Sequence, residues 1–203
     1  MSRIDDLIQK LCPDGVKHHE LSDISVYSTE RVDATALDGS TFVGVDNLLP
    51  DKAGRSDANY SPNTARLTAF RKGDILIGNI RPYLKKVWLA DRSGGCSGDV
   101  LAVHLREQYQ HELTPRFLYY LLSSDSFFSF DMQHARGAKM PRGDKDEIMK
   151  FRVPVPPLAV QEEIVRVLDS FTSLEAELEA ELEARKKQYE YLSLIHISEP
   201  TRP

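Results

Sequence analysis

The sequence predicts an α+β fold: a compact mixed-sheet domain with covering helices, followed by a long helix that forms a coiled coil. Three observations carry that expectation. Between residues 21 and 105, runs rich in Ile, Val, Leu and Trp alternate with Gly, Pro, Asp and Ser clusters, the pattern of strands and turns. Near Leu113 the apolar period becomes helical. From Ile164 to Leu192 a seam of positions advances by four and three residues in turn, a heptad signature. At 203 residues the chain has room for one ordinary domain and an extension.

Taken in order, Ser2 caps a first helix, with Asp5 at capping-box spacing. Ile4, Leu7, Ile8 and Leu11 form one apolar stripe on it, and Pro13-Asp14-Gly15 ends it. VYSTERV and STFVGV then read as strands, separated by Asp38-Gly39. Residues 46–64, rich in Asp, Asn, Ser, Gly and Pro, are too long for a plain connector, and loops of this length are often functional or disordered. Residues 74–80, 85–90 and 99–105 read as three strands, punctuated by Arg81-Pro82 and Ser93-Gly94-Gly95.

Thr114 is a good N-cap, Pro115 suits the first helical position, and Leu113 with Leu118 can form a hydrophobic staple. A second helical segment spans about residues 125–132, and Gly137 breaks the pattern. Asp144 with Glu147 opens a short helix reaching Phe151, and VPVPP is an edge strand or extended connector. The long helix runs from about Leu158 to Leu192, on the order of 50 Å at 1.5 Å per residue. Its seam holds Ile164, Leu168, Phe171, Leu178, Leu182, Tyr189 and Leu192, interrupted by Glu175 and Arg185, which fix register and partner. A helix this long either folds back on its own domain or docks another helix, and docking is the reading favoured.

The net charge of −5 is unevenly spread. Residues 17–156 hold 19 Lys+Arg against 18 Asp+Glu, whereas residues 157–191 hold 4 against 9. The globular part is thus neutral and leaves room for a local basic face. No apolar run reaches the roughly 18 residues of a membrane span, and MSRIDDLIQKL lacks the form of a signal peptide. Cys12 and Cys96 stand far apart outside any CxxC pattern, as in a reducing compartment, so the expected location is the cytoplasm.

Catalytic templates fit poorly. There is no GxxxxGK[ST], no GxSxG and no glycine-rich turn after a strand. Asp144, Asp146, Glu147 and Lys150 have the residue types of a nuclease site, but helix capping and surface solvation explain them, and the adjacent His18 and His19 diverge too far to form a metal pair. No metal site is expected. Cations are better organised. Arg81, Lys85 and Lys86 flank Tyr83 at a turn between strands. Arg136, Lys139, Arg142 and Lys145 recur every three residues through a Gly/Pro loop, and Arg66, Arg71 and Lys72 form a third cluster. Two or three such loops on one side would track phosphates, with Arg available for base edges; scattered, they would only solubilise the surface.

Four stretches carry a family resemblance. They are GDILIGNIRPYLKKVWLAD (73–91), CSGDVLAVHL (96–105), GAKMPRGDKDEIMKFRVPVPPLAVQEEIVRVLDSF (137–171) and, at the front, KLCPDGVKHHELSDI (10–24). Together they resemble the specificity subunits of type I restriction-modification enzymes. The resemblance implies an amphipathic N-terminal helix (1–16), a DNA target-recognition domain (17–156) and a conserved spacer helix (157–192). It implies a non-catalytic chain that binds one half of a bipartite site on double-stranded DNA and docks methyltransferase and restriction/translocase subunits. AdoMet, ATP and Mg are then expected on those partners, with no cofactor in this chain. The candidate DNA-binding residues are Arg81, Tyr83, Lys85, Lys86, Lys139, Arg142 and Lys145. The helix-pairing residues are Ile164, Leu168, Phe171, Leu178, Leu182 and Tyr189, facing either a second recognition unit or another copy of the chain.

Other readings are the recognition portion of a larger fused enzyme and a coiled-coil protein-interaction scaffold. Residues 193–203, SLIHISEPTRP, leave the heptad and resemble a translated sequencing adapter. They are expected to be non-native, with the natural chain continuing beyond Tyr191.

Overall fold

The computed structural model describes residues 2–198, with side chains through Leu192. The chain divides into two units, with the boundary between Glu162 and Glu163.

The first unit opens with α1 (Arg3–Leu11), closed by the reciprocal bonds of its capping box: the Asp5 N–H donates to Ser2 Oγ at 3.2 Å and the Ser2 N–H to Asp5 Oδ2 at 2.9 Å. β1 (Lys17–Glu20) follows, pairing antiparallel with β10 (Arg152–Val155) to form a two-stranded ribbon. Pro154 cannot donate to a ladder and is tolerated because β10 has only this one neighbour.

Two four-stranded sheets make the body. One has the order β2 (Ser25–Tyr27), β9 (Val100–Leu105), β6 (Ile75–Gly78), β7 (Val87–Leu89), all antiparallel. The other runs β3 (Arg31–Asp33), β5 (Arg66–Phe70), β8 (Gly94–Cys96), β4 (Phe42–Val43), with β4 parallel to β8. Leu76 lies in register with Trp88 on one side and Ala102 on the other, so the three share one face of the first sheet. That face packs with Val43, Phe70 and Cys96 of the second sheet into one buried cluster, where Phe70 and Trp88 meet edge to face at 5.9 Å. The core therefore sits between the sheets. The opposite face of the first sheet, including Ile75, Ile77, Leu101 and Val103, is also buried, and α3 (Pro115–Leu122) packs against β7.

Differences from the sequence-based strands have local causes. Residues 26–32 are not one strand, because the chain changes sheets within them. Ser28 still bonds to Ala102 of β9, whereas Glu30 already bonds to Ala69 of β5. Gly94 and Gly95 form no turn but belong to β8. A side chain at Gly94 would strike the Thr41 carbonyl, and one at Gly95 would lie 2.6 Å from Leu37 and 2.7 Å from Val32. These glycines mark close approach rather than a bend. Strand 85–90 shortens to Val87–Leu89, since Lys85 is left-handed.

The caps expected at Thr114 and Asp144 form, although the helix after Asp144 ends at Ile148 and not at Phe151, and the Ser124 cap was not foreseen. Thr114 Oγ1 accepts from the Phe117 N–H at 3.2 Å, Ser124 caps α4 (Asp125–His134), and Asp144 caps α5 (Lys145–Ile148). The buried Gln161 amide donates to the Glu112 and Pro156 carbonyls at 2.6 and 2.7 Å and accepts from the Thr114 N–H at 3.0 Å, a junction that periodicity does not reveal.

The second unit is the greater part of α6 (Leu158–Ser198), which runs past the expected end at Leu192. Phe171, Leu174, Leu178, Leu182 and Tyr189 are each more than half exposed along it. Arg185, on the seam, bonds to Glu181 at 2.6 Å one turn back in its own helix. Residues 199–203 of the anomalous tail lie outside the described residues. Among the described residues, no helix is long and apolar enough to cross a membrane.

Candidate nucleic-acid interface

The site is built where β6 ends. After Gly78, Asn79 donates its N–H to the Asp99 carbonyl at 2.8 Å. Arg81 then takes a left-handed conformation (φ 53°), Pro82 is buried at the start of a short 3-10 turn, and Lys85 is left-handed again (φ 49°). Two left-handed residues around one turn lift Tyr83 to the surface, where it is half exposed.

Residues 136–142 fold onto this turn as a small hairpin. Arg136 and Arg142 exchange backbone bonds at 2.8 and 2.9 Å, and Gly137, with φ 102°, takes a conformation that disfavours other residues. The Arg81 N–H donates to the Pro141 carbonyl at 2.7 Å and the Gly143 N–H to the Asn79 carbonyl at 3.1 Å. Lys139 is exposed on the hairpin, and the Arg142 guanidinium lies 3.3 Å from Asp99.

The long loop 46–64 is the third component, and it is ordered. Leu48 bridges to Arg55, whose guanidinium stacks 5.0 Å from the Trp88 ring centroid and pairs with Asp57 at 2.8 Å. Its tip, Asp51 and Lys52, is left-handed at both residues and docks on the turn: the Asp51 N–H bonds to the Leu84 carbonyl at 2.9 Å and the Lys52 N–H to the Lys85 carbonyl at 3.0 Å.

The fold thus brings Arg81, Tyr83, Lys85, Lys139 and Arg142 onto adjoining loops. Lys145 begins α5 just beyond, and the Tyr27 hydroxyl bonds to its carbonyl at 3.0 Å. Lys86 differs: its ammonium donates to the Val45 carbonyl at 2.8 Å, which holds it inward. The Arg66, Arg71 and Lys72 cluster lies elsewhere. Arg71 and Lys72 precede β6 whereas Arg81 follows it, and Arg66 and Arg71 pair with Asp33 and Glu30. Residue-type reasoning missed Lys52 and the carboxylates at the site, Asp51, Asp99 and Asp125. The unusual length of loop 46–64 was the one signal for Asp51 and Lys52.

Electrostatics at the rim follow from these contacts. The Lys85 ammonium, bonded at 2.9 Å, and then the Lys52 ammonium hold the Asp125 carboxyl below its ordinary range. Beneath the hairpin the balance reverses. Asp131 is fully buried, neither of its oxygens has a hydrogen-bond partner, and burial pushes its carboxyl up to about 6, partly offset by His134. The buried Asn79 Oδ1 is likewise unpartnered, and both side chains converge on Gly143. Among the described residues no group of three or more His, Cys, Asp or Glu could hold a metal ion.

The profile of the type I restriction modification DNA specificity domain matches residues 53–184, which include the β6–β7 turn, the 136–142 hairpin and the start of the long helix. The chain belongs to that family. Two Escherichia coli relatives are similar to this specificity domain. The EcoDI specificity subunit is 30% identical over 97 residues, 48% of this chain and 20% of the relative. The EcoR124I/EcoR124II specificity subunit is 57% identical over 47 residues, 21% of this chain and 12% of the relative. Among solved structures, the HsdS subunit from Thermoanaerobacter tengcongensis superposes with a TM-score of 0.66 at 22% identity, covering 94% of this chain and 52% of that one. The likeness extends the shared fold over nearly the whole specificity domain, which spans about half of that structure and a smaller share of the curated relatives.

Proposed function

We propose that this chain is the DNA-reading element of a type I restriction-modification system, binding one half of a bipartite site on double-stranded DNA and docking methyltransferase subunits. The observation that carries the reading is the union of two basic stretches, far apart in sequence, into one surface through the Arg81–Pro141 bond, within a specificity-domain chain. On that surface Arg81, Lys85, Lys139, Arg142 and Lys145 contact phosphates or base edges, and Tyr83 packs against the duplex. Lys86 serves the fold by fixing the Val45 carbonyl.

The chain does no chemistry itself in this reading. AdoMet, ATP and Mg belong to the methyltransferase and restriction/translocase subunits, and the assembly works in the cytoplasm. Residues 157–192 act as a spacer and pair along Ile164, Leu168, Phe171, Leu178, Leu182 and Tyr189. The mate is the equivalent helix of a second recognition unit or of another copy. The exposed seam supports that role, because a stripe of large apolar side chains in water is normally covered by a partner.

Methylome sequencing of cells that express the chain with its cognate methyltransferase subunit tests the proposal. The expected result is methylated adenine in a split motif that disappears when this chain is omitted. An unchanged set of methylated adenines would overturn it.

A further inference from the structure

Among the described residues only four non-glycine residues have positive φ, namely Asp51, Lys52, Arg81 and Lys85. All four lie at one junction, where the tip of loop 46–64 bonds through its backbone to the β6–β7 turn. Such conformations persist only where surrounding contacts impose them, and they concentrate at functional positions. Here they set two ammonium groups from separate loops against one point. Lys85 Nζ lies 2.9 Å and Lys52 Nζ 3.4 Å from the same oxygen, Asp125 Oδ1.

Two ammoniums brought this close repel each other unless an anion sits between them. In the free chain that anion is Asp125, whose side chain is 75% exposed. An ion pair this open to water contributes little to stability, so holding the fold together is a weak explanation for it. Its exposure has another consequence: an incoming anion can reach both lysines without any backbone opening. Arg81, Lys139 and Arg142 stand on the adjoining loops, so an anion seated here would have neighbouring charges of the same polymer to pair with them.

We infer that Lys52 and Lys85 form a clamp for a backbone phosphate of duplex DNA, and that Asp125 is an internal stand-in which occupies the clamp until a phosphate displaces it. This rests on the DNA-reading role proposed above. It adds a contact residue, Lys52, and makes Asp125 a built-in competitor that weakens binding.

The test uses the full chain and a short duplex of arbitrary sequence, because a phosphate clamp is indifferent to bases. Anisotropy titrations across a salt series compare the wild type with Asp125→Asn and Asp125→Ser. Both variants are expected to bind several-fold more tightly, with the slope of log K against log salt little changed, because the same phosphate occupies the clamp in the wild-type complex once Asp125 is displaced. Asp33→Asn is the matched control, since it frees Arg66 from an equally exposed carboxylate at 3.4 Å. It is expected to change affinity little.

The deciding comparison is made in a Lys52→Ala/Lys85→Ala background, where Asp125→Asn should have no effect. An equal gain there, or from Asp33→Asn, would reduce the effect to net charge and overturn the clamp. If the wild type binds duplex and neither Asp125 variant binds more tightly, the clamp fails and the DNA-reading role survives. If no form binds duplex even at low salt, both fail. Thermal melts accompany each titration, because Asp125 also sits favourably at the first turn of α4.

Discussion

The backbone N–H of Arg81 donates to the carbonyl of Pro141 at 2.7 Å, fastening the β6–β7 turn to the 136–142 hairpin. It is one of the two bonds of an antiparallel bridge between Ile80 and Arg142, and Arg81 is left-handed (φ 53°) as the chain leaves that bridge. That conformation costs a non-glycine residue roughly 1–2 kcal/mol. Arginine therefore stands where glycine would be more stable, and its side chain is the feature glycine lacks.

This arrangement separates stability from binding at two positions. Arg81→Gly and Lys85→Gly keep every backbone bond of the turn and relieve the strain. Each is expected to stabilise the chain by about 1 kcal/mol, a rise in Tm of about 2–4 °C. Each should nevertheless weaken DNA binding and flatten the salt dependence by about 0.9. Melting curves and titrations on the same preparations check this, and a loss of stability with unchanged binding would contradict it.

The hairpin offers a complementary change. Gly143 has an ordinary φ, so space and not backbone conformation excludes other residues. An added methyl would strike Asp131 Oδ1 and lie 2.8 Å from Asn79 Oδ1 and 2.9 Å from Ile148 Cδ1. Gly143→Ala should cost about 1–3 kcal/mol, as overpacking does, and shift the hairpin off the turn. DNA affinity is expected to fall although no cation has been removed. Lys139→Ala/Arg142→Ala, by contrast, should weaken binding with little change in Tm.

Asp131 makes stability depend on pH in an unusual direction. Buried without a hydrogen-bond partner, it keeps its proton up to about pH 6 in the native state, whereas an unfolded aspartate loses it near 4. Between those values the unfolded chain binds fewer protons, so stability falls as pH rises. The full effect is on the order of 3 kcal/mol, present below pH 4 and lost above pH 6. His134, Tyr27, Asp144 and Asp146 also take part in the electrostatics around this site. Asp131→Asn places a permanent donor beside Asn79 Oδ1 and should remove this component of the pH profile. Denaturation at pH 4, 5, 6 and 7 for both proteins measures it.

Much of this architecture was legible in the sequence because local chemistry set it. The Ser2, Thr114 and Asp144 caps, the β6 and β9 strands and the β10 edge strand all follow from residue types within a few positions. What stayed hidden depends on distant partners. Gly94 and Gly95 look like a turn until Thr41, Leu37 and Val32 are seen to close on them. The site divides in the same way. Its cations could be named from their spacing, but not that Lys86 would be claimed by Val45, nor that Asp51 and Lys52 would cross to the β6–β7 turn. Asp125 and Asp131 have no sequence signature, since one matters by exposure beside two lysines and the other by burial without a donor.

The long helix supplies the last prediction. Phe171, Leu178, Leu182 and Tyr189 recur at heptad spacing and are all more than half exposed, so the apolar seam is uncovered in the single chain. Burying one leucine is worth about 1.5–3 kcal/mol, and a mate covering several residues on both sides gains enough to offset the entropy of association. Leu178→Glu/Leu182→Glu puts charge at the centre of that seam while leaving the intrahelical Arg185–Glu181 pair in place. The head should melt at an unchanged temperature. In sedimentation, association through the helix, whether with another copy or with a second recognition unit, should be lost. Lys187→Ala, which removes an exposed pair with Glu183 off the seam, should leave association intact. Association that survives both glutamates would place the contact on another face of the helix.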